Sequence, residues 1–231
     1  IYVVAQTNDA AAQELLAGAS SEAPVYQQIK AKFIDGGVGF MAAVLLCLIL
    51  GLAVAIERII YLSLSTTNTS KLIAKVEDAL NNGGVEAALE VCRNTRGPVA
   101  SIFYQGLSRM DQGLEAVEKS VVSYGGVQAA QLETGLTWLS LFIAMSPNLG
   151  FLGTVIGMIG AFDAIQAAGD ISPIVVASGI KVALITTVAG LIVALILQVF
   201  FNYITSKVES LVITMEDASV SLIDILVKAK K

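Results

Sequence analysis

The amino-acid sequence predicts an all-α integral membrane protein, with three transmembrane helices extended into a cytoplasmic helical bundle. Three observations carry that prediction. The 231 residues are 55% hydrophobic and only 14% charged, which is too apolar for a soluble domain and about half its usual charge. Three stretches, residues 38–56, 134–162 and 182–204, contain no Asp, Glu, Lys or Arg. A hydrocarbon layer of about 30 Å takes roughly 20 helical residues, so each stretch can cross it. In the remaining segments apolar residues recur at helical spacing, and no strand is expected anywhere.

Taken in order, residues 1–37 form an amphipathic segment at the outer surface and 38–62 the first transmembrane helix. Residues 63–131 form a cytoplasmic helical region, 132–166 the second span, 167–173 a short outer turn, 174–204 the third span and 205–231 a cytoplasmic helical extension. Asp9 to Ala31 is rich in helix formers, with Pro24 starting its second half. Tyr2-Val3-Val4-Ala5 has the small residues of a cleaved leader's end, and a simple chain boundary reads equally well. Leu72, Ile73, Val76 and Leu80 share a helical face, Asn82-Gly83-Gly84 stops that helix and Val85 restarts it. Gly97-Pro98 breaks the chain again before a helix over 99–107. Asp111 is read as the N-cap of a helix running through Glu115 and Glu118 into the second span, weakened at Gly125-Gly126 by about 1 kcal/mol per glycine. Val208, Leu211, Val212, Met215, Ser219, Leu222 and Ile223 carry the third span onward as one long helix.

Orientation follows the basic residues. Lys71, Lys75, Arg93, Arg96, Arg109 and Lys119 lie between the first and second spans, with Arg58 at the entrance. Lys207, Lys228, Lys230 and Lys231 follow the third, while residues 164–173 contain no basic residue. This places the middle segment and the C-terminus in the cytoplasm and the N-terminus and the 164–173 turn outside; Lys30 and Lys32 weigh slightly against it. Tyr61, Trp138, Phe200, Phe201 and Tyr203 fall at one depth, as an interfacial belt would.

The sequence has no histidine and two separated cysteines, Cys47 and Cys92. No catalytic residue, metal site, disulfide or cofactor is expected, and the chain does not read as an enzyme. Nucleic acid is not an expected partner.

The chemistry worth weighing lies in the second and third spans. Gly150, Gly153 and Gly157 on one side, and Gly190 on the other, are small residues that let helices approach closely in lipid. Thr154 and Thr187 lie equally far from a turn at 170–171, which puts them at one depth in an antiparallel hairpin. They either line a pore or bond back to carbonyls of their own helices, and Thr186 is a further candidate. Lys181 interrupts an apolar stretch. It is either a functional intramembrane charge or a snorkelling one directed to Asp163. Glu133, at the mouth of the second span, either guides protons or caps a solvated boundary. No acidic residue lies near the depth of the two threonines. A proton crossing there needs a carboxylate from another chain.

The segment Ser146-Pro147-Asn148-Leu149-Gly150-Phe151-Leu152-Gly153-Thr154-Val155-Ile156-Gly157-Met158, with Ala183-Leu184, Thr187 and Gly190-Leu191, resembles the MotA/TolQ/ExbB proton-channel family, most closely its ExbB and TolQ branches. The resemblance extends over about residues 38–215. It implies a homo-oligomer, a pentamer, around a dimeric ExbD-like or TolR-like single-span partner supplying a membrane aspartate. It further implies a TonB-like or TolA-like protein to carry the work, a place in the bacterial inner membrane and pore roles for Thr154 and Thr187. One departure stands out: some members have a third-span glutamate near the place where this chain has Lys181-Val182.

Overall fold

The computed structural model describes residues 24–169 and 173–229. Most of the N-terminal amphipathic segment, the leader reading at 2–5 and the turn at 170–171 lie outside these residues. The described chain is all-α: α1 (Val25–Asp35), α2 (Val38–Ser65), α3 (Thr69–Arg93), α4 (Pro98–Leu107), α5 (Leu114–Glu133), α6 (Leu136–Ala168) and α7 (Pro173–Ala229), with a single 3-10 turn at Met110–Gln112. Three of its helical stretches are long and apolar enough to cross a membrane.

The chain divides into two compact units. The first takes in the chain up to Leu45 together with Asn148–Leu191. Here α1 begins after Pro24, as expected of a residue that cannot continue a helix backwards, and ends at the Gly36-Gly37 elbow. Gly37 has φ +80°, a conformation that costs glycine little and other residues more. In the same unit the C-terminal part of α6 and the N-terminal part of α7 pack antiparallel, with Gly150 opposite Thr186 and Thr187, and Gly157 opposite Gly179 and Ala183.

The second unit comprises Leu46–Pro147 and Ile192–Lys231. Asn68 caps α3, its side chain accepting from the Lys71 amide at 3.1 Å. The expected interruption falls on Gly84, whose φ and ψ of 72° and −166° leave the helical region. Leu72, Val76, Ala88 and Cys92 of α3, Val99, Ile102, Phe103 and Leu107 of α4, and Val117 and Val121 of α5 are buried. Gly106 allows the close approach of α4, since a Cβ there would stand 2.6 Å from Val121. The buried stripe of α7 reads Ile204, Val208, Leu211, Met215, Ala218, Leu222, Ile225 and Leu226, while Glu209, Glu216, Asp217 and Asp224 are exposed. Spacings of three and four hold one face against the core over many turns. The stripe is rotated slightly from the expected one, because Ala218 rather than Ser219 faces inward.

Two expectations about α5 are corrected. Asp111 belongs to the 3-10 turn and caps nothing; α5 starts at Leu114 after Gly113, whose φ of 97° suits glycine. Nor does α5 run into the second span. It stops at Glu133, Thr134 turns away from helical geometry and Gly135 takes φ +89° before α6 begins. Gly125-Gly126 meanwhile lies within the continuous α5.

Candidate functional site

Thr154, Thr186, Thr187 and the glycines at 150, 153 and 157 meet in the first unit, on the facing sides of α6 and α7. Gly150 presents no side chain to α7: a Cβ there would lie 2.8 Å from the Thr186 carbonyl oxygen and 3.1 Å from the Thr187 Cα. Gly153 likewise accommodates Thr186, whose Cβ and Oγ1 would both stand 3.0 Å from an added Cβ. At Gly157 the approach is looser, with nearest atoms at 3.5 Å. A fourth glycine, Gly160, faces open space. Gly190 is buried. Close approach continues beyond Gly157 from the α7 side, where a Cβ on Gly179 would clash with the Ala161 Cβ and stand 3.2 Å from the Gly157 carbonyl oxygen.

That approach brings Thr154 and Thr187 together, both half-buried. Their hydroxyls are hydrogen-bonded to each other. The Thr154 hydroxyl also lies 3.1 Å from the Gly150 carbonyl, four residues back, and 3.0 Å from the Ala183 carbonyl across the hairpin. The Thr187 hydroxyl lies 3.4 Å from the same Gly150 carbonyl. Back-bonding and cross-hairpin contact thus coexist. Thr186 behaves differently: it is buried, and its hydroxyl donates within its own helix toward Val182 and Ala183. Its place is in the packing against Gly153.

Lys181 does not reach for Asp163. Its Nζ is 2.6 Å from Asp35 Oδ2, at the C-terminal end of α1. The ammonium hydrogen bond holds the Asp35 carboxyl below its ordinary 3.8, partial burial works against that, and the charges of Lys181 and Lys32 add to the lowering. The elbow just after Asp35 rests on the same turn of α7: a Cβ on Gly36 would meet Ile185 at 2.9 Å, and Gly37 faces Val182. Sequence reasoning missed this pairing; the available signal was an acid directly before a Gly-Gly elbow.

Glu133 is exposed at the end of α5 in the second unit. The neighbouring residue of interest there is Arg58, which sequence reasoning left as one basic residue among several. It is buried, donates from Nη2 to the Leu132 and Gln131 carbonyls at 2.5 and 3.3 Å, and lies 4.7 Å from the Tyr61 ring centre. Its Nε is buried without a partner. The guanidinium thus caps the Leu132 carbonyl and shares the Gln131 carbonyl with the Thr134 amide where α5 ends, next to Gly135. Among the described residues no group of His, Cys, Asp or Glu is arranged to hold a metal ion.

Comparison with known proteins bears on this geometry. The model of the MotA/TolQ/ExbB proton channel family matches residues 94–217, more than half of the chain. The chain belongs to this family. It is a multi-pass membrane protein, with α2, α6 and α7 supplying the long apolar helices. Among relatives in the family, an ExbB homologue named for biopolymer transport in Methanothermobacter thermautotrophicus is 35% identical over 162 residues, which is 70% of this chain and 57% of that protein. A biopolymer transport ExbB-like protein of Synechocystis is 31% identical over 179 residues, covering 76% of this chain and 70% of the relative. Biopolymer transport protein exbB1 of Vibrio cholerae is 47% identical over 68 residues, 29% of this chain and 30% of that one. The chain spans under two thirds of the first and last of these.

Proposed function

We propose that this protein is the proton-conducting subunit of an inner-membrane motor, using proton motive force to energise TonB-dependent outer-membrane transport. In this reading five copies surround a dimeric, single-span ExbD-like or TolR-like partner, and a TonB-like or TolA-like protein carries the work outward. The N-terminus is periplasmic and the C-terminus cytoplasmic, and the chain catalyses no covalent reaction. Family membership supports the class of protein. The observation that carries the local mechanism is the hydroxyl pair of Thr154 and Thr187, held on a small-residue face between two apolar helices.

The chemistry follows from what the pair lacks. A hydroxyl donates one proton and accepts at two lone pairs, but does not carry charge near neutral pH. Residues 136–162 and 182–204 contain no titratable carboxylate, so the titrating group is the aspartate of the single-span partner. Thr154 and Thr187 then offer that carboxyl group hydrogen-bonding partners in a dry setting, where an unpartnered polar group costs about 2 kcal/mol or more.

One observation favours a second reading, a non-conducting scaffold that only holds the partner. Both hydroxyls have acceptors within their own hairpin. Proton flux into liposomes separates the two readings. The chain co-purified with its single-span partner is expected to conduct, the chain alone is not, and Thr154→Val or Thr187→Val is expected to reduce flux at least tenfold, the loss of about 1.4 kcal/mol. Full flux or full cellular activity in both valine variants of an intact complex would leave the scaffold reading standing.

A further inference from the structure

We propose that Asp35 is a positioning residue for the proton path, neutralising Lys181 so that the α1-side entrance to the threonine pair does not repel cations. The inference rests on the proton-path reading above and adds to it a role for two residues outside the hydroxyl pair.

Lys181 precedes Thr187 on α7 by six residues, about 9 Å along a helix. Its side chain is 54% exposed, so its charge is not buried. A fixed positive charge at an entrance is an electrostatic barrier to cation passage. Asp35 meets that charge directly, with 2.6 Å between Nζ and Oδ2. The carboxylate is not carried on the channel hairpin: it is delivered by the end of α1, whose following residue Gly36 lies close to Ile185 on the next turn of α7 toward Thr187. Gly36 accepts no side chain there without displacing Ile185 or Met41. The elbow therefore fixes where the neutralising charge stands. Lys32, one turn earlier on α1, remains as a second cation on the α1 side, so removing the Asp35 charge leaves two lysines uncompensated.

A unit charge about 10 Å away, in surroundings between protein surface and water, changes a cation's local population on the order of threefold. The effect shrinks as ionic strength rises, because the screening length is about 10 Å at 0.1 M salt.

The test is proton flux through liposome-reconstituted complex with the single-span partner, at low and high salt. The variants are Asp35→Asn, Lys181→Gln, the double variant, and Thr154→Val as the path control. Asp35→Asn is expected to conduct about threefold less at low salt and to approach the parent at high salt. Lys181→Gln and the double variant are expected to conduct at least as well as the parent, because the repelling charge is gone. A pair that served only as a mechanical clamp would give the opposite: all three variants break it, so all three would lose flux alike, independent of salt. That pattern overturns the proposal, as does unchanged flux in Asp35→Asn. Where Thr154→Val loses flux and Asp35→Asn does not, only the role of Asp35 falls; where neither loses flux, the path reading falls with it.

Discussion

Replacing Gly150 with alanine tests whether the threonine pair depends on backbone contact between α6 and α7. A Cβ at this position would stand 2.8 Å from the Thr186 carbonyl oxygen, against 3.4 Å for the start of ordinary contact, a shortfall of about 0.6 Å. The obstructing atoms are backbone, so no rotamer change relieves them and the helices must separate. Overpacking of this kind typically costs about 1–3 kcal/mol; alanine's better helix propensity recovers up to about 1 kcal/mol, leaving a net loss on the order of 1–2 kcal/mol. Gly160→Ala provides the internal control. Nothing lies within 4 Å of its added Cβ, so only the propensity gain remains and stability should hold or rise. Thermal unfolding of the detergent-solubilised protein, followed by fluorescence of its one tryptophan, Trp138, measures both. The same shift should lengthen the Thr154–Thr187 contact and lower proton flux in reconstituted complex. Equal unfolding temperatures for Gly150→Ala and Gly160→Ala would refute the packing argument.

Arg58→Gln removes the cap on the Gln131 and Leu132 carbonyls and the contact with Tyr61. Hydrogen bonds to charged groups contribute about 1.5–3 kcal/mol each, and release of a buried guanidinium offsets part of this, so a net loss of about 2 kcal/mol is expected. Faster amide exchange at residues 133–136 would locate it; parent-like unfolding and exchange would refute it. Burial raises the Cys92 thiol to about 11 from an ordinary 9.0. A raised pKa means stability is fully present below the unfolded value and is lost as pH climbs through the folded one. Unfolding midpoints should therefore fall between pH 9.0 and about 11 in the parent and less steeply in Cys92→Ala. At neutral pH, alkylation of Cys92 should be slow until the protein is denatured; rapid labelling of the native protein would contradict this.

The features legible in the sequence were those set by nearby residues. A charge-free run long enough to span, a stripe at three- and four-residue spacing, and Gly-Pro or Gly-Gly punctuation depend only on local chain chemistry, and α7, the break at Gly84 and the start of α4 followed from them. The depth match of Thr154 and Thr187 was also accessible, because an antiparallel hairpin fixes register by distance from its turn. What was missed depends on distant partners. The break at Thr134-Gly135 lies inside a charge-free run, and the Leu132 carbonyl just before it is capped by Arg58 from a helix more than seventy residues earlier. Asp163 was the nearer acid for Lys181 along the hairpin, yet Asp35 takes that place because the side-chain-free Gly36 lets the elbow lie against α7. Neither outcome has a periodicity that a sequence window could register.

The hydrogen-bond arithmetic of the pair explains why packed hydroxyls could still serve a moving proton. Four contacts within hydrogen-bond range converge on Thr154 and Thr187: one between the hydroxyls, two from Thr154 to carbonyls and one from Thr187 to a carbonyl. Two hydroxyls have only two hydrogens to donate. At most two of the four contacts can be hydrogen bonds at one moment, and the network has several arrangements of similar connectivity. In each arrangement lone pairs stay free to accept from an incoming acid. Rotation of one hydroxyl exchanges its donor without moving a helix. Valine keeps the shape and removes both hydrogens and lone pairs, so it leaves the packing against Gly150 while deleting this redundancy. A pure scaffold needs the packing alone. The hydroxyls matter only where something carrying a proton arrives between the helices.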